Sequence, residues 1–130
     1  MIVVDASVVV EVLLGTAAGR AVEGRLFARR AALHAPHLMD IEVAHVLRRY
    51  AAAGEMTPAR AAEAVEDLKD LPITRHEHTM FLPRIWQLRH NATAYDAAYL
   101  ALAEALDATL VTRDAKLARA AGRTRVEWLK

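Results

Sequence analysis

Short β-branched runs punctuate this chain, and longer stretches with helical spacing separate them. Ile2-Val3-Val4 stops at Asp5 and reads as a buried strand. Asp5 or Ser7 then serves as N-cap for an apolar helix, Val8 to Leu14, which Gly15 ends. Helical spacing resumes from Thr16 to Arg30, with Val22, Leu26 and Phe27 inward and Arg20, Glu23, Arg25, Arg29 and Arg30 mostly outward. Ala32 to Ala35 forms a weak second strand closed by Pro36, and Leu38 to Ala53 is a helix ended by Gly54. Thr57-Pro58 opens the next helix with an N-cap and a first-turn proline; it runs to about Leu71. Pro72 breaks it before a short strand at Ile73-Thr74. His78 to Arg89 reads as helical, with Asn91 suited to a left-handed C-terminal position. Thr93 to Leu106 has the strongest helical pattern of the chain. Leu110-Val111-Thr112 is a buried strand, Asp114 caps a helix to Ala121, and Val126-Glu127-Trp128 forms a last strand.

This alternation of strands and helices predicts an α/β domain with a central, mostly parallel sheet of about five strands, flanked by helices in three layers. At 130 residues, one domain spanning 1–130 is expected. Such a length buries roughly two-thirds of its unfolded surface, which needs no disulfide staples. Hydrophobic residues make up 55% and aromatic ones 5%. Alanine fills much of the gap and favours helix. With no cysteine, thiol chemistry and cysteine-based zinc sites are excluded. No apolar run approaches the ~20 residues of a membrane span. Met1 to Asp5 lacks the basic start of a secretory signal, so a cytoplasmic location is expected. The 17 Lys+Arg and 16 Asp+Glu leave a net charge of +1. That balance excludes a strongly basic tail but not a nucleic-acid partner, because charge segregates by face.

The acids fall in telling places. Asp5 follows the first strand, and Asp114 follows Leu110-Val111-Thr112 by one residue. In a parallel sheet both project from the carboxyl edge, where such folds place their ligands. Asp96 lies in the first turn of the Thr93–Leu106 helix, and Glu42 near the start of the helix after the second strand. Four carboxylates brought together repel one another unless a cation joins them. Oxygen-only ligands suit Mg²⁺ or Mn²⁺ rather than zinc. Each acid also has an ordinary structural reading. Asp5 and Asp114 suit helix N-caps, Asp96 suits a capping box with Thr93, and Glu42 suits a solvated helix face. Asp40 is a rival acid two residues before Glu42, pointing elsewhere. No Gly-rich phosphate loop, Gly-x-Ser-x-Gly or His-Glu-x-x-His is present.

The segments around these acids resemble a known family. Val-Val-Asp5-Ala-Ser7 resembles the opening of a PIN domain. The stretch Ala35-Pro36-His-Leu-Met-Asp-Ile-Glu42-Val-Ala-His45 resembles its second motif. Thr93-Ala-Tyr-Asp96-Ala-Ala-Tyr99 and Leu110-Val-Thr112-Arg-Asp114 resemble its third and fourth. The four occur in order across the whole chain, and within the family they resemble the VapC-type toxins of prokaryotic toxin–antitoxin pairs.

The resemblance implies a PIN-like fold and a Mg²⁺- or Mn²⁺-dependent endoribonuclease. Asp5, Glu42, Asp96 and Asp114 carry over as a metal-binding, catalytic quartet. Ser7 and Thr112 match hydroxyl positions flanking the quartet, which in the family support the acids or the metal water. His45 stands where many relatives carry Asn, three residues after the glutamate. Arg113, beside Asp114, is the candidate for contact with RNA phosphate. Implied partners are an RNA substrate and a VapB-type antitoxin, with a homodimer and toxin–antitoxin hetero-oligomers. The apolar side of the helical pair from about Leu38 to Leu71 exceeds what a small sheet needs, and the resemblance implies that this pair forms part of the antitoxin's groove. Tyr95 and Tyr99 suit packing and helix surface, or base stacking near the site. Trp86 and Trp128 suit core or interface. The competing readings are a catalytically silent PIN-like scaffold and a receiver-like regulatory module. The latter lacks its Lys after Leu110-Val111-Thr112.

Overall fold

The structure is a computed structural model that describes residues 1–28 and 30–130. The positions expected for the Phe27 and Arg29 side chains lie outside the described residues. Five strands, β1 (Ile2–Val4), β2 (Leu33–Pro36), β3 (Ile73–His76), β4 (Thr109–Thr112) and β5 (Val126–Trp128), form one sheet in the order β3-β2-β1-β4-β5. Every neighbouring pair is parallel, as the alternation of strands and helices predicts. The helices are α1 (Ala6–Leu14), α2 (Ala17–Ala28), α3 (Leu38–Ala52), α4 (Pro58–Asp70), α5 (Leu82–Gln87), α6 (Ala94–Leu106) and α7 (Ala115–Arg119). None of the described helices is long and apolar enough to cross a membrane.

The core follows from the central strands and α6. Val3, Val4, Leu110 and Val111 are buried, and so is every residue of α6 from Ala97 to Ala103. Six of those seven α6 positions are Ala or Leu, which lets the helix lie close to the sheet with good helix formers inside. Gly19 shows what close approach demands on the other layer. A Cβ there would sit 1.9 Å from the Glu11 carbonyl oxygen, so α2 crosses α1 only with glycine at that position.

Three expectations are corrected or narrowed. The helix expected from His78 to Arg89 is a short 3₁₀ turn, Thr79–Phe81, followed by α5 over only Leu82–Gln87. Pro83 is the reason: without an N–H it starts a helix well but cannot sit inside one. Asn91 does not adopt the left-handed conformation. Among the described non-glycine residues only Arg30 and Asp107 do, and Asp107 (φ 50°) closes α6. Trp86 and Trp128 are not core residues, being 67% and 47% exposed.

Candidate metal and phosphodiester site

The acidic site is built where β1 and β4 end side by side. Their register pairs Val4 with Val111, which brings the next residues, Asp5 and Thr112, together. The Asp5 carboxylate is buried, and both of its oxygens accept hydrogen bonds. Its Oδ1 accepts from the Ser7 N–H at 2.8 Å, the Ser7 hydroxyl at 2.5 Å and the Val8 N–H at 3.3 Å. Its Oδ2 accepts from the Thr112 hydroxyl at 2.6 Å. Asp5 is therefore the N-cap of α1 and a site candidate at once; the two readings are compatible. One lone pair of Oδ2 stays open to a further partner.

Ser7 and Thr112 act as paired relays. Each hydroxyl donates to Asp5, and each accepts a backbone N–H from the β4 exit. Ser7 Oγ takes that of Arg113 at 3.0 Å, and Thr112 Oγ1 that of Asp114 at 2.9 Å. The two hydroxyls thus fix how the ends of β1 and β4 sit against each other. Asp114 caps α7, accepting from the Lys116 N–H at 2.9 Å, and is itself exposed.

Glu42 and Asp96 complete the group from α3 and α6. Thr93 caps α6 by accepting the Asp96 N–H at 3.1 Å, which fixes the first turn. Glu42 Oε1 accepts from the Tyr99 hydroxyl at 2.7 Å. Burial raises the carboxyl pKa of Asp5, although its hydrogen bonds pull the other way. Burial also raises Glu42, and the charges of Asp5, Asp96 and Asp114 add to it against the Tyr99 bond. Asp96 is raised by burial and by Asp114 and Asp5, while Lys116 opposes. The four acids therefore share one field, although they come from four separate elements.

That field fits a hard divalent cation. Among the described residues no three acidic or imidazole side chains converge tightly enough to enclose an ion alone. Mg²⁺ does not need such a cage, since it keeps several waters and takes one or two protein carboxylates directly. The carboxylate-only donor set, its mutual repulsion and the open lone pair on Asp5 match that requirement.

Arg113 sits differently from its neighbours. Its guanidinium forms an ion pair with Glu11 at 2.7 Å, and its Nε is buried without a partner. Lys116 is the exposed cation whose charge reaches Asp96. Asp40, the rival acid, is paired with Arg75 at 3.0 Å and lies outside the group. Sequence reading missed the Tyr99–Glu42 bond. The signal available was the spacing of Tyr99, one turn after Asp96 on the same helix face.

Comparison with known proteins identifies the family and the fold. The PIN-domain family model matches residues 2–123. The chain belongs to the PIN-domain family. This PIN domain is 44% identical over 124 residues to Ribonuclease VapC1 of Mycobacterium tuberculosis, covering 92% of the chain and 90% of that protein. It is 43% identical over 117 residues to Ribonuclease VapC9 of the same organism, covering 90% and 88%. Its fold is shared with the Pyrobaculum aerophilum protein PAE2754, at TM-score 0.69 and 23% identity over 96% of this chain and 87% of that one. It is also shared with Mycobacterium tuberculosis VapC20, described as a sarcin–ricin-loop-cleaving toxin, at TM-score 0.65 and 18% identity over 91% and 93%.

Proposed function

We propose that this PIN domain is a Mg²⁺- or Mn²⁺-dependent endoribonuclease acting as the toxin of a type II toxin–antitoxin pair. The observation that carries the reading is the shared field of Asp5, Glu42, Asp96 and Asp114 at the carboxyl edge. The relatives' designation as ribonucleases supports it.

Phosphodiester hydrolysis needs an attacking water and relief of charge on the phosphate oxygens. A bound Mg²⁺ or Mn²⁺ supplies both. The chain's residues divide the remaining work. Asp5 is the fixed anchor, held by four donors and unable to swing. Glu42 and Asp114 approach from the flanks, each held through a single carboxylate oxygen. Asp96, with its raised pKa, is the carboxylate best suited to orient the water and take its proton. Lys116 meets the backbone phosphate, and Arg113 joins it only when the Glu11 pair opens.

The partner reading follows from the helical pair α3–α4. Leu47 and Leu68 are buried there, whereas Ile41 is 73% exposed beside Val65 in a groove also lined by Asp40, Ala44, Lys69 and Arg75. A VapB-type antitoxin segment suits that groove, and homodimers and toxin–antitoxin hetero-oligomers complete the reading. With RNA as substrate the place of action is the cytoplasm. The test is alanine at each of Asp5, Glu42, Asp96 and Asp114, assayed on RNA with Mg²⁺ or Mn²⁺. Each variant is expected to lose cleavage, and undiminished cleavage by the four would end the reading.

A further inference from the structure

Tyr99 lies in the middle of α6 with its ring 2% exposed, yet its hydroxyl reaches Glu42 on α3 at 2.7 Å. A buried phenol with a polar tip needs a partner, and this one has found the only acid of the group that comes from α3. The phenol proton goes to Glu42 Oε1. Among the described residues Glu42 Oε1 has no second protein donor and Oε2 has none. His45, one turn on from Glu42, is exposed and makes no hydrogen bond to it among the described residues. Glu42 is otherwise a long side chain with several rotatable bonds, half-buried in a crowded negative field.

We propose that Tyr99 is the positioning residue for Glu42: its hydroxyl holds one carboxylate oxygen and so presents the other to the divalent cation. The proposal rests on the metal-dependent reading of the site given above. An outer partner that orients a ligand in this way is worth about 10- to 100-fold in metal affinity.

The experiment is a double-mutant cycle on Mn²⁺ affinity, read by calorimetry on wild type, Tyr99→Phe, Glu42→Gln and the double variant. Cleavage of RNA is followed against Mn²⁺ concentration in parallel. Tyr99→Phe keeps the ring and its packing, and its thermal transition checks the fold. The expected result is Mn²⁺ binding weakened about 10- to 100-fold, with cleavage largely recovered at saturating Mn²⁺. In the Glu42→Gln background the second change should add nothing, because the oriented carboxylate is already gone. A packing role predicts additive losses instead, and that outcome overturns the proposal. Wild-type affinity in Tyr99→Phe, with Glu42→Gln impaired, also overturns it while leaving the metal site intact. If wild type itself binds no Mn²⁺, the metal reading and the Tyr99 role fall together. Should Tyr99→Phe lose its cooperative transition, His45→Ala decides: weakened Mn²⁺ binding there assigns the orienting role to His45 and overturns the proposal, and unchanged binding supports it.

Discussion

At the amino end of the sheet, Glu104 lies against Arg84 at 2.8 Å and Asp107 against Arg125 at 3.0 Å. At the carboxyl end, Asp5, Glu42, Asp96 and Asp114 feel one another's charge, and among the described residues none of them forms a salt bridge. The consequence is visible in the carboxyl groups. Arg84 holds Glu104 below its ordinary pKa, whereas burial and like charge hold Glu42 and Asp96 above theirs. One end is arranged for its own stability. The other keeps like charges together, an arrangement that a divalent cation would relieve. With four acids committed there, the remaining 12 face 17 bases over the rest of the chain, so the near-zero net charge conceals a partition.

The largest expected effect breaks the comparison at Asp5. Asp5→Asn should lower RNA cleavage on the order of 10³-fold, since a charge that acts in the transition state is removed. Stability should stay within about 1 kcal/mol of wild type, because Asn still caps α1. Urea unfolding beside a single-turnover cleavage assay separates the two quantities. A large loss of both would mean that Asp5 serves the fold first.

Next comes the cation itself. Mn²⁺ at 100 times its dissociation constant should stabilise the protein by about 2.7 kcal/mol, and a chelator should remove that increment together with cleavage. The increment should shrink in Asp96→Asn and persist in Glu104→Gln. Equal loss in both variants would show that the amino end also feels the ion.

Acid titration sharpens the contrast without any ligand. Asp5, Glu42 and Asp96 have folded pKa values raised above 3.8, 4.5 and 3.8. Between those values and the raised ones, the folded chain binds more protons than the unfolded chain. Stability therefore rises as pH falls from neutrality through the raised pKa values, and is lost again as pH climbs back. Glu104, lowered from 4.5, works the other way and costs stability only on further acidification. The metal-free melting temperature should pass through a maximum on the acid side of neutrality, and saturating Mn²⁺ should flatten the rise. A melting temperature that falls steadily from pH 7 downward would contradict the shared field.

Much of this was legible in the sequence because it depends on local rules. A β-branched run ending in Asp, with Ser two residues on, specifies both the strand end and the cap that holds Asp5. The parallel alternation then places Asp114 at the same edge. What stayed hidden depends on tertiary reach. Arg113 stands next to Asp114 in sequence, yet its side chain turns to Glu11 of α1. Tyr99 reads as a packing residue and is one, but its hydroxyl crosses 57 positions of sequence to Glu42. The short α5 was missed for a local reason, the proline at its first turn. Helical periodicity around His78 to Arg89 outweighed that signal in reading the chain.

The smallest effect is expected at the amino end, and its size is the point. Asp107 is 90% exposed in its side chain and holds a left-handed φ of 50° at the end of α6. Asn tolerates that conformation as well as Asp does. Arg125 grips Asp107 twice, through the carboxylate at 3.0 Å and the backbone carbonyl at 2.6 Å. Asp107→Asn keeps the carbonyl contact and a side-chain acceptor, and an exposed ion pair is worth about 0–1 kcal/mol. Stability should therefore change by less than about 0.5 kcal/mol, with cleavage and Mn²⁺ binding unchanged. The same chemical step, Asp to Asn, would then span three orders of magnitude in activity at Asp5 and nothing measurable at Asp107. A clear loss of cleavage in Asp107→Asn would show that the two ends are coupled through α6, whose first turn carries Asp96.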